Sequence, residues 1–198
     1  MIRAVLFDFY GVWLPDVFAG YLAEAEQHGQ QAVAELDSTL YQYFHGQTDI
    51  EGVAGSLRYK LSRPDIDAAQ FRLDEHSISP AIVDFMRELH GHFVKLGVLA
   101  NLGTQEYQLL NDFNQHNQVF ETIAGPLPFQ MEQRLLSNEV FARALQTIGE
   151  PPASCLIVTG DPAYQDFARR LGMTVLPFEG FPKLRQEIEQ ILASELSS

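Results

Sequence analysis

Three polar side chains stand directly behind short apolar runs. Asp8 closes Ala4-Val5-Leu6-Phe7, Asn101 follows Val98-Leu99-Ala100, and Asp161 follows Val158-Thr159-Gly160. A carboxylate in such a place is partly desolvated and sits where the backbone turns, and Gly11 can supply that turn. An ionised, positioned aspartate can act as a nucleophile, forming an ester or acyl phosphate that water then hydrolyses. The alternative for Asp8 is a turn or capping aspartate. Carboxylates at two strand ends, Asp8 and Asp161, could also share a divalent cation through hard oxygen ligands.

The elements that must hold these residues can be read from periodicity. Ala4 to Phe9, Phe93 to Leu99, Val119 to Ala124, Cys155 to Thr159 and Met173 to Pro177 are apolar runs of strand length. Between and after them lie helix patterns at Pro80 to Leu89, Gln105 to His116, Asn138 to Ile148, Pro162 to Leu171 and Pro182 to Leu196. Ser79 before Pro80 is a capping residue with proline in the first turn, Thr104 can cap the next helix, and Gly149 and Gly172 stand where helix-ending glycines belong. Near-continuous apolar strands alternating with helices predict an α/β fold with an open, parallel, five-stranded sheet covered on both faces. In such sheets ligands bind beyond the carboxyl ends of the strands, which is where Asp8, Asn101 and Asp161 fall.

Residues 15–78 break the rhythm. They contain helix patterns at Val17 to Glu35, Ser38 to Phe44, Asp49 to Leu61 and Asp67 to Leu73, with Pro64 between the last two. Thr48 and Glu51 fit a capping box. The expectation is a core of residues 1–14 and 79–198, with residues 15–78 forming a helical cap inserted after the first strand.

Composition narrows the function. The chain has 198 residues, with 26 Asp plus Glu against 13 Lys plus Arg, for a net charge of −13. So acidic a chain repels phosphate backbones, which argues against a nucleic-acid partner. No run approaches the ~20 apolar residues of a membrane span, and the N-terminal apolar run is broken by Asp8. The expectation is a soluble cytoplasmic protein acting on a small molecule. Its single cysteine, Cys155, rules out an internal disulfide and reads as a buried apolar residue.

The run Phe7-Asp8-Phe9-Tyr10-Gly11-Val12, the later Leu99-Ala100-Asn101 and Gly160-Asp161, and the helical insertion between the first two resemble the haloacid dehalogenase-like (HAD) superfamily over nearly the whole chain. The cap turn from Phe44 to Asp49 is similar to its small all-helical caps. The resemblance implies a hydrolase with Asp8 as nucleophile, acting on a phosphorylated or halogenated substrate. Where its phosphatases carry a second aspartate as general acid, this chain has Tyr10, as the 2-haloacid dehalogenases do. Tyrosine, with an ordinary pKa of ~10, is a poor acid near neutrality. The hydroxyl residue expected before Asn101 is Ala100. No lysine lies between Lys95 and Lys183; counting forward from Asn101 reaches Arg134 and counting back from Phe141 reaches Leu135, so Arg134 is the cation placed to substitute.

The acid expected to follow Gly160-Asp161 falls, by count, on Tyr164 and not on Asp166. On this resemblance Asp8, Tyr10, Asn101 and Arg134 form the catalytic set. Magnesium would be held by Asp8, the Tyr10 carbonyl and Asp161. The departures imply impaired or unusual activity. The competing reading is a non-catalytic member of the same fold that binds or regulates, with a protein partner open; a receiver-like phosphoacceptor domain is a third.

Other residues read as structural. Trp13 follows the first motif and either lines the pocket entrance or packs between cap and core. The six histidines show no metal-ligand spacing. Arg58, Arg63 and Arg72 could hold an anionic substrate group or form surface ion pairs.

Overall fold

Ala4–Asp8 is buried at every position and forms β1, the middle strand of the molecule. The computed structural model describes residues 1–9, 11–13, 17–44, 47–72, 78–92, 94–99, 104–124 and 138–196. β2 (Lys95–Leu99), β3 (Thr122–Ala124), β4 (Cys155–Thr159) and β5 (Thr174–Pro177) complete the sheet. All pairings are parallel and the order is β3-β2-β1-β4-β5, the α/β architecture expected. The chain lays β2 and β3 on one side of β1, then crosses to place β4 and β5 on the other. The strand order therefore reverses between β1 and β4, and the crevice beyond their carboxyl ends is the ligand position of such sheets.

Strand alternation divides the core between the two faces. Val5, Phe7, Leu96, Val98, Leu156 and Val158 face a layer formed by α4 (Pro80–Gly91), α5 (Thr104–Asn117) and α8 (Phe181–Leu196). Ala4, Leu6, Leu99, Cys155 and Ile157 face α6 (Asn138–Ile148) and α7 (Pro162–Arg170). Gly97 lies on this second face because there is no room for more: a Cβ there would meet Leu6 Cδ2 at 2.7 Å and Thr122 Cγ2 at 2.8 Å. Gly97→Val is expected to cost about 1–3 kcal/mol by overpacking. It should appear as a lower urea midpoint with unchanged slope; an unchanged midpoint would show that the layer yields freely.

Trp13 is buried among core residues, its ring edge-on to Phe113 at 5.9 Å and to Phe120 at 5.0 Å. These contacts set Trp13 in the apolar layer shared with α5. Cys155 is fully buried, and burial, reinforced by the charge of Glu150 and opposed by Lys95, pushes its thiol up to about 11. The raised value stabilises the fold below pH 9 and that contribution is lost as pH climbs toward 11. Iodoacetamide at pH 8 should label the chain only when it unfolds in urea; fast native labelling would contradict the burial.

The helical segment has an apolar cluster of its own, with Phe18, Leu36, Tyr43, Val53, Leu57 and Phe71 among its members. It contains α1 (Ala19–Gln27), α2 (Gln30–Phe44), α3 (Ile50–Lys60) and a 3-10 turn at Ala68–Phe71. Two local expectations are corrected. The first helix does not run through to Glu35: it stops before Gly29, whose φ of +102° is left-handed, and the second then runs unbroken through Ser38. The cap of α3 is Asp49, not Thr48; the Asp49 carboxylate accepts the Gly52 N–H at 2.9 Å, and because the third helical residue is then a glycine, a single side-chain cap replaces the expected box. Gly149 and Gly172 do end helices with positive φ, and Ser79 precedes Pro80 as the N-cap residue, without a side-chain bond. Arg63 is bound to Asp65 and Glu24, Arg58 donates to the Ile66 carbonyl at 2.8 Å and Arg72 lies 4.0 Å from Glu51. All three arginines thus serve links within the segment. No described helix is long and apolar enough to cross a membrane.

Candidate active site

Asp8 is the last residue of β1 and only 8% exposed. It shares the strand parity of Ala4 and Leu6, so it projects toward the α6–α7 face. Thr159 ends β4 with the parity of Cys155 and Ile157, and is fully buried. The last β1–β4 rung pairs Phe7 with Val158, which places Asp8 and Thr159 side by side one residue further on. Their side chains meet: the Thr159 hydroxyl donates to Asp8 Oδ2 at 2.6 Å. The same hydroxyl oxygen accepts the backbone N–H of Asp161 at 3.0 Å. Since that N–H takes up a lone pair, the hydroxyl proton is directed at the carboxylate. Short charge-assisted bonds of this kind hold a carboxylate in one orientation.

Asp161 caps α7. Its Oδ1 accepts the Ala163 N–H at 2.7 Å, and Pro162 starts the helix. Asp161 is exposed. Three residues into the helix, Tyr164 turns inward and is buried, its ring edge-on to Phe141 at 5.6 Å. Burial raises its phenol well above the usual tyrosine range, and the negative charges of Asp8 and Asp161 raise it further. The phenol is therefore neutral at any ordinary pH and lies within electrostatic reach of both carboxylates. Asp166 faces solvent and pairs with Arg169 at 2.9 Å.

No family model matches the chain and no curated protein does. Solved structures match it over most of its length. A HAD-like family hydrolase from Porphyromonas gingivalis superposes with a TM-score of 0.60 at 20% identity, covering 97% of this chain and 98% of its own. A HAD family enzyme from Bacteroides thetaiotaomicron, in complex with magnesium and inorganic phosphate, gives 0.56 at 17%, covering 89% and 94%. The L-2-haloacid dehalogenase from Xanthobacter autotrophicus, with chloropropionic acid covalently bound, gives 0.55 at 19%, covering 89% and 77%. The fold is that of the haloacid dehalogenase-like hydrolases.

Within this haloacid dehalogenase-like frame, two of the expected site residues, Asp8 and Asp161, are among the described residues. Asp8 ends β1 and Asp161 follows β4, and the Thr159 hydroxyl links the Asp8 carboxylate to the backbone N–H of Asp161, not to its carboxylate. Tyr10, Asn101 and Arg134 lie outside the described residues. Thr159, in sequence only the end of an apolar run, is a further polar residue at this place. The available signal was parity, because a polar residue in step with buried Cys155 and Ile157 must point inward. Among the described residues no group of three His, Cys, Asp or Glu side chains gathers in a cation-binding arrangement.

Proposed function

We propose that this chain is a haloacid dehalogenase-like hydrolase in which Asp8 attacks a small phosphorylated or halogenated substrate. The observation that carries the reading is the Asp8 carboxylate, buried at the strand-order reversal and oriented by the Thr159 hydroxyl. In-line attack by Asp8 would form a bond to phosphorus, or to a halogen-bearing carbon, and expel an alkoxide or halide. Water would then release the aspartate. Asn101 would orient the reacting group and Arg134 would offset its negative charge. Tyr10 would line the pocket; a halide leaving group needs no proton from it. Residues 15–78 would cover the crevice as a lid, and residues 1–14 and 79–198 would form the core.

Hard carboxylate oxygens at adjoining strand ends suit magnesium, an ion that keeps several waters. Asp8, the Tyr10 carbonyl and Asp161 would hold it. When bound, magnesium supplies positive charge to phosphoryl oxygens; Asp8 remains the attacking group and Thr159 keeps it aimed. A net charge of −13 favours a small-molecule substrate over a nucleic acid. A cytoplasmic setting would keep the Cys155 thiol reduced.

The test is a panel of aryl phosphates, acyl phosphates and 2-haloacids, with and without magnesium, read by phosphate or halide release. Slow turnover of one class is expected. Total inactivity across the panel would favour a binding or regulatory protein of this fold, whereas phosphatase rates of ~10–10³ s⁻¹ would show that the departures from the family motifs cost nothing.

A further inference from the structure

Thr159 is held by its backbone as well as by its side chain. Its carbonyl accepts the Phe178 N–H at 3.1 Å, which carries the β4–β5 pairing one residue past Pro177. The same carbonyl accepts Gln165 Nε2 at 3.2 Å. A carbonyl oxygen offers two lone pairs, and both are used. Gln165 is half-buried in the first residues of α7, so its side chain ties the helix back to the strand that precedes it. The oxygen of that amide is engaged too: Arg169 Nη2 donates to Gln165 Oε1 at 3.2 Å, while Arg169 Nη1 donates to Asp166 at 2.9 Å. A guanidinium can only donate, so Oε1 belongs toward Arg169 and Nε2 toward the Thr159 carbonyl. An unbroken run of bonds leads from Arg169 through Gln165 and Thr159 to Asp8 Oδ2.

We infer that Gln165 is a positioning residue of the site, acting through Thr159. The inference rests on the reading of Asp8 as the attacking group. By fixing the peptide plane that follows Thr159, the Gln165 amide fixes the strand end from which the hydroxyl projects. A threonine side chain is stiff at χ1, so a fixed backbone leaves Oγ1 one direction, toward Asp8 Oδ2 at 2.6 Å. Releasing the carbonyl lets Gly160 and the start of α7 shift, and the hydroxyl turns with them. Gln165 bonds to Thr159 and Arg169, so its influence on Asp8 passes through the hydroxyl. Misplacing an attacking group slows the reaction without removing a substrate contact.

The test compares Gln165→Glu, Gln165→Leu and Thr159→Val, singly and combined, with acetyl phosphate and with 2-chloropropionate. Glutamate keeps the size and the Arg169 partner but has no N–H to give the carbonyl. Both Gln165 variants should lower kcat about 3–10-fold, the rate equivalent of one neutral hydrogen bond, with KM within about twofold. In the Thr159→Val background the same substitutions should change kcat by less than about twofold, because the path is already cut. Amide exchange gives a readout that needs no substrate. The Asp161 N–H, which donates to Thr159 Oγ1 at 3.0 Å, should exchange at least about threefold faster in Gln165→Glu. A Gln165→Glu protein with wild-type kcat, or with unchanged Asp161 exchange, would overturn the inference, as would a loss that persists in full beside Thr159→Val. If Gln165→Glu does not fold, Gln165→Leu decides by the same readouts. Failure of the Asp8 assignment reads differently: turnover would survive Asp8→Asn, while Asp161 exchange would still respond to Gln165.

Discussion

Asp8→Asn is expected to leave the chain folded and to lower turnover by about 10³-fold or more, as removal of an attacking group does elsewhere. The amide has the size of the carboxylate, and its carbonyl oxygen can still accept the Thr159 hydroxyl now held at 2.6 Å. Packing around β1 is unaltered. What disappears is the negative oxygen that attacks. Initial rates of phosphate or halide release, measured beside a thermal melt of each protein, separate the two effects. A variant that melts with the wild type and has lost turnover fits the assignment. A variant that retains turnover removes Asp8 from the chemistry and leaves it a structural aspartate at a strand end.

Thr159→Val carries the second large effect, and it reaches both stability and rate. Valine matches threonine in shape, so the void is negligible. The substitution removes the donor to Asp8 and the acceptor of the Asp161 N–H together. Leaving buried polar partners without a bond costs about 1–3 kcal/mol. Misplacing an attacking carboxylate by an ångström can cost about 10² in rate. The loss should fall on kcat with KM little changed, since Thr159 is fully buried and touches Asp8 rather than solvent. Thr159→Ser keeps the hydroxyl and should recover most of the rate. A valine variant with wild-type kcat, or a serine variant as slow as valine, would reduce Thr159 to packing.

Much of this architecture is written locally. β1 and β4 are short apolar runs because a strand covered on both faces has no polar side to show. Asp8 and Asp161 are visible because each ends or follows such a run. The Gly149 and Gly172 stops are visible because positive φ favours glycine. What stayed hidden depends on pairing across the chain. Thr159 lies 151 residues from Asp8, and only the crossover that sets β4 beside β1 makes them partners. The break at Gly29 was obscured because the apolar pattern continues on either side of it, and a glycine inside such a pattern does not by itself declare a left-handed turn. Tyr164 was located by counting, but its place against Phe141, and hence its fixed orientation, needed the packing of α6 beside α7.

The dehalogenase and phosphatase readings share one step, the bond formed at Asp8, and differ in where water enters. In the first, water attacks the aspartyl carbonyl; in the second, it attacks phosphorus. Both pass through a covalent adduct that can be trapped. The most direct measurement is a single-turnover reaction with acetyl phosphate and, separately, with 2-chloropropionate, quenched in acid and mapped by peptide mass spectrometry. The account predicts an adduct on the peptide containing Asp8 with one of the two reagents, absent from Asp8→Asn. An adduct confined to another peptide, or one that persists in Asp8→Asn, would contradict it.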